Sequence, residues 1–545
     1  MKKYFKYNLL IILIFLATSC SKDFLNIAPQ DKLTAGNFYK NEADIRANTA
    51  SLYGYPWFDF NDRLFWLAGD EMAGNVYYTY DQEGQFFYFT YTEGNAYISS
   101  GWKSLYRVVS YANSVINDMP VAATGVDQGA ITRGVAEAKF VRAVAYYMIA
   151  ELWGDAPIVE NTTQLVTSNQ MMLPRNTRKT IYQFMEKDLL FAEANLPATD
   201  AGRATKWAAK GMLAKLYLTW GQSEKSQTYF DKAKTYAADV ITNSGLSLMT
   251  NYADLFKVEN NNNPESLFAL QFIQGAYGIG NSRQANWARG SIITQNTECW
   301  GGGISATYDF TQLVKTNDAR RSAIYMTLGD VYPELNKKNG GYTYNIVTRS
   351  ATDANTVLEF AAPVLNNMKK YVIGSSDDTG GKVTTGQATA SNQYILRLAD
   401  VYLIYTEAAL GLGSTTSDAT ALQYMNTVRS RGGLDPLTTA SFMDIFNERR
   451  VEFCGESLFW FDIKRFYYRD AASALSYINN QKRFHVYNRV TGTNVPDENT
   501  FAGYTITPPT TTATIEASKM FLPIPASEVL INPKLNQPAV DYIFQ

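Results

Sequence analysis

Apolar residues recur at helical spacing through long stretches of the chain. In residues 131–151, Ala138, Val141 and Ala145 fall on one face of a helix, with polar residues between them. The same period returns further along, and Pro197 marks where one such stretch must stop. Helices are predicted over residues 131–151, 178–196, 204–220, 224–243, 394–411, 419–430 and 441–454.

The predicted helices share a pattern of small and large side chains. Alanines stand one turn from larger residues, as in Ala143 with Tyr147 and Ala214 with Leu218. Small residues let helices approach closely, which is how tetratricopeptide-like pairs stack into a solenoid, although the strict repeat consensus is absent. The pattern predicts an all-α fold, with tetratricopeptide-like helix pairs as a solenoid scaffold, long decorated loops and minor β-hairpins.

Long polar segments separate the helices. Residues 52–102 are loop-like and rich in aromatic side chains, and Asn339-Gly340-Gly341 predicts a hairpin turn within residues 328–392. Two further segments, 258–303 and 486–519, have the same polar character. Loops of this length are uncommon in compact domains and are usually functional.

The first twenty residues predict export and a lipid anchor. Lys2 and Lys3 precede an apolar run from Leu9 to Ala17, which is too short to cross a bilayer but fits a secretory signal. The small residues that follow lead into Cys20, as in a bacterial lipobox. We therefore predict a signal peptide at 1–19 and lipidation of Cys20, with an ordinary signal peptide as the alternative.

Composition excludes several classes of function. The formal net charge is −2, whereas nucleic-acid binding needs a concentrated basic surface. The single histidine, His485, rules out a multi-histidine metal site. Three cysteines form neither a disulfide framework nor a CxxC knuckle. We expect no nucleic-acid partner and no metal site.

Several short motifs follow one another along the chain. The first is an alanine-rich helix containing Arg142 that runs into Gly154-Asp155-x-Pro157. The others are Arg203-Ala204-Thr205-Lys206, Arg397-Leu398-Ala399-Asp400 with Glu407-Ala408, Asn426-x-Val428-Arg429-x-Arg431, Glu448-Arg449-Arg450-x-Glu452 with Phe461-Asp462-x-Lys464-Arg465, and Phe521-Leu522-Pro523-Ile524-Pro525 before Asn532-Pro533. In this order, behind a lipobox, they resemble the SusD-like (RagB/SusD) family over nearly the whole mature chain.

The resemblance implies an all-α lipoprotein over residues 20–545, with an N-terminal part at 20–265 and a C-terminal part at 266–545 that carries loop insertions and the Glu-Arg-Arg helix. It implies anchoring to the bacterial outer membrane, facing outside, as the hinged lid of a TonB-dependent transporter (a SusC-like barrel). Members of the family bind oligosaccharides, or peptides in some branches, and deliver them to the barrel. They are not enzymes and need no cofactor.

A cluster of charged residues on the later helices suggests structure rather than catalysis. Its members are Glu448, Arg449, Arg450, Glu452, Asp462, Lys464 and Arg465. They lie among Phe and Trp residues, so we expect partly buried ion pairs that fix how helices dock, with Glu407 as another inter-helix partner. Cys454 is expected in the core.

The aromatic loops are the predicted ligand site. A sugar presents an apolar C–H face and a rim of hydroxyls, which suit an aromatic platform with nearby polar groups. Residues 53–102 also contain Tyr77, Tyr78 and Tyr80, and residues 277–300 begin with Tyr277. The residues predicted to bind ligand are Trp57, Asp59, Asn61, Trp66, Asp70, Asp81, Trp102, Trp287, Cys299 and Trp300.

Three alternatives remain open from the sequence. A glycoside hydrolase would need two carboxylates in a cleft, and nothing in the sequence singles out such a pair. A peptide-binding member of the family would use the same scaffold with a different ligand. A pure assembly subunit would bind the transporter alone, and its aromatic rings would be loop cores or transporter contacts.

Overall fold

The computed structural model describes residues 38–295, 297–345, 348–349, 357–358, 366–483, 486–489, 504–507 and 513–544. The predicted signal peptide, Cys20 and His485 lie outside the described residues. In the described part of the chain, no helix is long and apolar enough to cross a membrane.

Helices dominate the structure, and short two-stranded sheets are scattered between them, which confirms the predicted fold class. The helices are α1 (Glu42–Ala50), α2 (Gly84–Tyr88), α3 (Ala96–Asn117), α4 (Met119–Ala122), α5 (Gln128–Trp153), α6 (Thr162–Thr167), α7 (Arg178–Asn195), α8 (Lys206–Glu224), α9 (Gln227–Asn243), α10 (Arg283–Trp287), α11 (Ser291–Thr294), α12 (Tyr308–Leu313), α13 (Arg321–Ile324), α14 (Ser376–Thr379), α15 (Leu398–Leu410), α16 (Ala419–Arg431), α17 (Phe442–Phe453), α18 (Phe459–Arg469), α19 (Ala471–Asn479) and α20 (Ala526–Ile531).

The long helices stack in chain order. Helix α3 packs on α5, α5 on α7, α7 on α8 and α8 on α9. Helix α15 then packs on α9, with α16 against α15. Polar caps start several of these helices: the side chains of Asp127, Thr177 and Thr205 accept backbone N–H groups at the starts of α5, α7 and α8. The alanine-rich faces predicted from the sequence lie in these contacts, because Ala143 and Ala214 are completely buried.

Strands form eight antiparallel pairs in the described residues. They are β1 (Val76–Tyr77), β2 (Ser266–Leu270), β3 (Ser305–Ala306), β4 (Tyr325–Thr327), β5 (Val331–Tyr332), β6 (Tyr342–Thr343), β7 (Thr348–Arg349), β8 (Val357–Leu358), β9 (Asn366–Met368), β10 (Val383–Thr385), β11 (Ala388–Thr389), β12 (Gln393–Arg397), β13 (Thr415–Thr416), β14 (Ala440–Ser441), β15 (Val486–Arg489) and β16 (Tyr504–Thr507). Strands β5 and β6 pair across Asn339-Gly340-Gly341, which confirms the predicted hairpin.

Two predicted boundaries are wrong. Residues 52–102 are not one loop, because they contain two π-helical turns (Phe60–Leu64 and Leu67–Glu71), α2 and the start of α3. The helix predicted from residue 394 begins at Leu398, because the residues before it form β12 and pair with β2 inside the molecule. A buried strand and a buried helix segment give the same unbroken apolar run. The division between residues 265 and 266 stays a prediction.

A buried set of ion pairs joins the later helices to the rest of the fold, and we call it the ion-pair core. Its larger group contains five cations (Arg320, Lys370, Arg397, Arg429, Arg431) and five carboxylates (Glu265, Asp318, Glu448, Glu452, Glu456). Its smaller group contains three of each (Lys215, Arg449, Arg465 with Asp400, Glu407, Asp462).

The ion-pair core confirms the structural interpretation of the charged motifs. Arg397 donates to Glu265 at 2.7 Å and to Glu456 at 2.8 Å, and all three side chains are completely buried. Glu407 accepts from Arg465 of α18 at 2.9 Å, as an inter-helix partner. Lys464 differs from the prediction, because its ammonium donates to the carbonyl of Met520 at 2.9 Å rather than to a carboxylate.

Candidate functional site

Most tryptophans predicted to bind ligand are buried. Trp57, Trp66 and Trp287 have at most 1% of their surface exposed, and Trp102 has 4%. An indole needs a free face to stack against a sugar. The structure therefore corrects the prediction at these four positions, which pack the interior of the folded chain.

Hydrogen bonds and ring contacts explain why these indoles face inward. Trp57 donates to the carbonyl of Leu52 at 2.8 Å, and Trp66 donates to the carbonyl of Asp62 at 3.0 Å. The N–H groups of Trp57 and Trp66 are thus satisfied without water, so the burial of these two indoles costs little. Ring contacts fasten the 52–102 segment to the helices, because Trp66 packs edge-on against Trp287 of α10 and Trp102 packs edge-on against Trp153 of α5.

Asn61 and Asp70 are also inside. Asn61 donates to Asn281 at 3.3 Å, and Asp70 accepts the backbone N–H groups of Gly455 and Ser457 at 2.9 and 2.8 Å. Burial raises the pKa of Asp70. Both side chains tie the 52–102 segment to later parts of the chain, which is a structural role and corrects their assignment to the ligand site.

Three other predicted residues stay near solvent. Asp59 forms an ion pair with Arg107 at 2.9 Å, and Asp81 is exposed in a turn with φ of 44°. Cys299 is partly buried, with its Sγ 2.6 Å from Oγ1 of Thr294. Burial raises the pKa of this thiol to about 11, so the thiol is neutral at physiological pH.

An exposed group of rings remains, and we call it the aromatic face: Tyr78, Tyr80, Tyr277 and Trp300. Tyr80 is 70% exposed, Tyr277 58% and Trp300 43%. Tyr78 is half-buried, with its ring centroid 6.4 Å from that of Tyr80. The rings come from two insertions more than 190 residues apart in sequence, so the fold assembles them.

Asp62 and Arg63 join the two insertions. Asp62 accepts the hydroxyl of Tyr277 at 3.1 Å and that of Ser282 at 2.5 Å. Arg63 donates to Asp62 at 2.8 Å, and its guanidinium lies 6.0 Å from the ring centroid of Trp300. One dipeptide therefore holds both rings contributed by the 277–300 insertion.

The same arginine reaches the other insertion. Its Nε lies 3.7 Å from a carboxylate oxygen of Glu83, which also accepts the hydroxyl of Tyr97 at 2.7 Å. Tyr78 packs on buried Trp66, at 6.1 Å between ring centroids. The rings of the face thus rest on a hydrogen-bonded and packed support.

A π-helical turn presents the dipeptide. In Phe60–Leu64 the backbone is wider than an α-helix, and Phe60 and Leu64 are buried while Arg63 is partly exposed. Such turns are rare in proteins, and those that occur often lie at functional sites. Here the turn places Asp62 and Arg63, neighbours in sequence, within reach of the same surface.

The phenols of Tyr78 and Tyr277 are neutral. Burial, and then the charge of Asp62 and the hydrogen bond to it, raise the pKa of Tyr277 to about 12. Burial, and then the charge of Glu83, raise the pKa of Tyr78 to about 12. Both hydroxyls are therefore protonated at pH 7 and can exchange hydrogen bonds with ligand hydroxyls.

Three tyrosines of the face were not among the residues predicted to bind. Tyr78, Tyr80 and Tyr277 were recognised only as members of aromatic loops, because the prediction favoured the larger indole. Residue type does not fix exposure, and the largest rings fill the interior most effectively. The usable signal is position: Tyr80 and Tyr277 lie beside Asp81 and Gly278, in polar turns.

A large cavity lies elsewhere. It has a volume of about 1320 Å³ and is lined by the ends of α5, α7 and α8 together with residues 518–536. Two of the rings at its wall, Trp153 and Tyr182, are at most 4% exposed, and a third, Phe521, is partly buried. The cavity therefore offers space but less free aromatic surface than the aromatic face. Among the described residues, no cluster of His, Cys, Asp and Glu is arranged to hold a metal ion.

Comparisons with known proteins agree with this architecture. The model of the SusD family matches residues 211–542, and a model described as starch-binding and associating with the outer membrane matches residues 43–218. A SusD-like protein of Bacteroides ovatus is 36% identical over the full length of both chains.

Solved structures have the same fold. One, determined with xylogluco-oligosaccharide, is 36% identical and superimposes with a TM-score of 0.80 over 92% of this chain and 99% of that one. A laminarin-binding SusD-like protein, 21% identical, superimposes with a TM-score of 0.66 over 91% of this chain and 98% of that one, a likeness of fold alone. The chain therefore belongs to the SusD family.

Proposed function

We propose that this protein binds an oligosaccharide on the aromatic face and passes it to a TonB-dependent transporter. The observation that carries the proposal is the set of exposed rings held around Arg63. Rings can cover the C–H faces of sugar residues, and neutral tyrosine hydroxyls with the arginine N–H groups can bind the hydroxyl rims.

The expected affinity is modest. Covering about 80–100 Å² of ring at about 25 cal/mol/Å² gives about 2 kcal/mol for each platform. After the costs of association and ordering, two or three platforms leave a dissociation constant of roughly micromolar to millimolar. Such an affinity suits a protein that must release its ligand to a partner.

The first ligand to test is a xyloglucan oligosaccharide. A structure 36% identical to this chain was determined with xylogluco-oligosaccharide, and that chain is covered almost completely. We propose a glucan backbone with or without side branches as the ligand class, because a flat ribbon of sugar rings fits a shallow aromatic surface.

Isothermal titration calorimetry against xyloglucan, laminarin, starch and mannan oligosaccharides tests the proposal. Wild type is expected to bind at least one of them, and Tyr277→Ala is expected to weaken that binding. Tyr111→Ala is the matched control, because Tyr111 is 37% exposed on α3 and is not a member of the aromatic face. Binding of oligopeptides but of no glycan would favour the peptide-binding branch of the family.

Delivery and anchoring are further parts of the proposal. We propose that acylated Cys20 tethers the protein to the outer membrane, facing outside, and that the protein covers a SusC-like barrel as a lid. Co-purification with a TonB-dependent transporter from the native outer membrane, and loss of membrane attachment in Cys20→Ala, are the expected results. If uptake needs the complex but survives Tyr277→Ala with Trp300→Ala, the protein is an assembly subunit.

We propose binding without hydrolysis. The carboxylates supporting the face are engaged, since Asp62 accepts three side-chain hydrogen bonds and Glu83 lies beside Arg63 and Tyr97. A glycosidase instead needs an acid and a second carboxylate free to reach the scissile bond. Release of reducing ends from any bound glycan would overturn this part.

A further inference from the structure

The charged groups at the aromatic face are unequal in number. Arg63 is flanked by Asp62 at 2.8 Å and Glu83 at 3.7 Å. Asp81 is exposed next to Tyr80. Three carboxylates (Asp62, Asp81 and Glu83) therefore lie at the face, against Arg63 and the buried Arg283, whose charge also acts on Asp62, for a local formal charge of −1 (three minus two).

Arg63 is already committed to protein carboxylates. Its side chain is 19% exposed, and both of its close acidic neighbours are more deeply buried than it is. A guanidinium has five N–H donors, so some remain for ligand hydroxyls. Its positive charge, however, is balanced within the protein and is not available to a ligand anion.

We propose that this arrangement makes the aromatic face select uncharged glycans and reject chains that carry uronate or sulfate groups. The inference rests on the proposed function and names the substrate class of that site. Arg63 is the specificity residue, because it donates to hydroxyls while the carboxylates around it repel anions.

The electrostatic contribution has a recognisable signature. Each carboxylate on a ligand within about 8 Å of the face is expected to weaken binding by roughly threefold to tenfold at low salt. Added salt screens that repulsion, since the Debye length is about 10 Å at 0.1 M. Binding of an anionic glycan should therefore tighten as salt rises, and binding of a neutral glycan should not.

The test uses matched ligands. A xyloglucan oligosaccharide, laminarihexaose and maltohexaose are each titrated in native form and after oxidation of the C6 hydroxyls to carboxylates, at 20 mM and 300 mM NaCl. Wild type is expected to bind a native form at least tenfold more tightly than its oxidised counterpart at low salt. Equal or tighter binding of the oxidised form overturns the inference and leaves glycan binding intact, whereas no binding of any form overturns the proposed function.

Variants locate the effect. Asp81→Asn combined with Glu83→Gln removes two charges with little change of shape, and the ratio of oxidised to native dissociation constants is expected to fall at least threefold. Glu259→Gln is the control, because Glu259 lines a separate cavity with Tyr332 and Lys369. An unchanged ratio in the double variant, with thermal stability equal to wild type, contradicts the inference.

Discussion

The aromatic face and the ion-pair core both join distant chain segments, but they differ in the balance of their charges and in the exposure of their side chains. In the core, Arg397 and its carboxylates are completely buried and every charge has an opposite. At the face, rings are exposed and negative charge is in excess. The comparison indicates that the core fixes the helices rigidly, so that the face can display rings that a free loop would hide.

The largest expected effect comes from breaking the core. Arg397→Met leaves Glu265, Glu452 and Glu456 without their shared cation inside the protein. Removing one partner of a buried pair costs about 3–5 kcal/mol. Urea denaturation should show this loss. Lys234→Met is the control, because the ion pair of Lys234 with Asp418 is at least one-third exposed and is worth about 1 kcal/mol or less.

Two tryptophans sharpen the comparison. Trp287→Ala should destabilise the fold by about 3–5 kcal/mol, since the ring is completely buried. Trp300→Ala should change stability little but weaken glycan binding by about 30-fold, the equivalent of about 2 kcal/mol. Thermal unfolding and calorimetry separate the two outcomes. Equal effects on binding for both variants would mean that Trp300 contributes only packing.

Acid should damage the core. Cationic neighbours hold the pKa values of Asp400, Glu407, Glu452 and Glu456 below their ordinary values. A group whose folded pKa is depressed stabilises the fold above its unfolded pKa, about 4, and loses that contribution as pH falls through the folded value. The free energy of unfolding should therefore decline steadily below about pH 4. A flat profile from pH 5 to 2 would contradict the assignment of these pairs.

A smaller effect is expected at the support of the face. In wild type, the negative charge of Asp62 holds Arg63 and strengthens the hydrogen bond that Tyr277 donates. Asp62→Asn keeps the shape of the side chain but removes this charge. A charge-assisted bond is worth about 1.5–3 kcal/mol where a neutral one is worth about 1 kcal/mol. We expect roughly tenfold weaker glycan binding with a nearly unchanged melting temperature. Asp62→Glu restores the negative charge but has a longer side chain that displaces Tyr277. We therefore expect glycan binding to stay weak in this variant as well.

Sequence patterns predicted the core better than the face. Helical period, alanine spacing and the ordered charged motifs indicated the helices and the role of Glu407, because these features depend on local geometry. The strand at Gln393–Arg397 was not predicted, because a continuous apolar run does not distinguish a buried strand from a helix.

Exposure of the rings could not be predicted in the same way. Trp287 and Trp300 belong to one insertion, yet one is completely buried and the other is 43% exposed. The difference arises from contacts with Trp66 and Arg63, more than 220 residues earlier. For these two tryptophans, tertiary packing decides which ring reaches solvent.

A crystal structure with a bound xyloglucan oligosaccharide tests the central claim most directly. The account predicts sugar rings stacked on Tyr277 and Trp300, with hydroxyls within hydrogen-bonding distance of Arg63. An oligosaccharide bound instead in the cavity of about 1320 Å³ beside α5, α7 and α8, with the aromatic face empty, would contradict it.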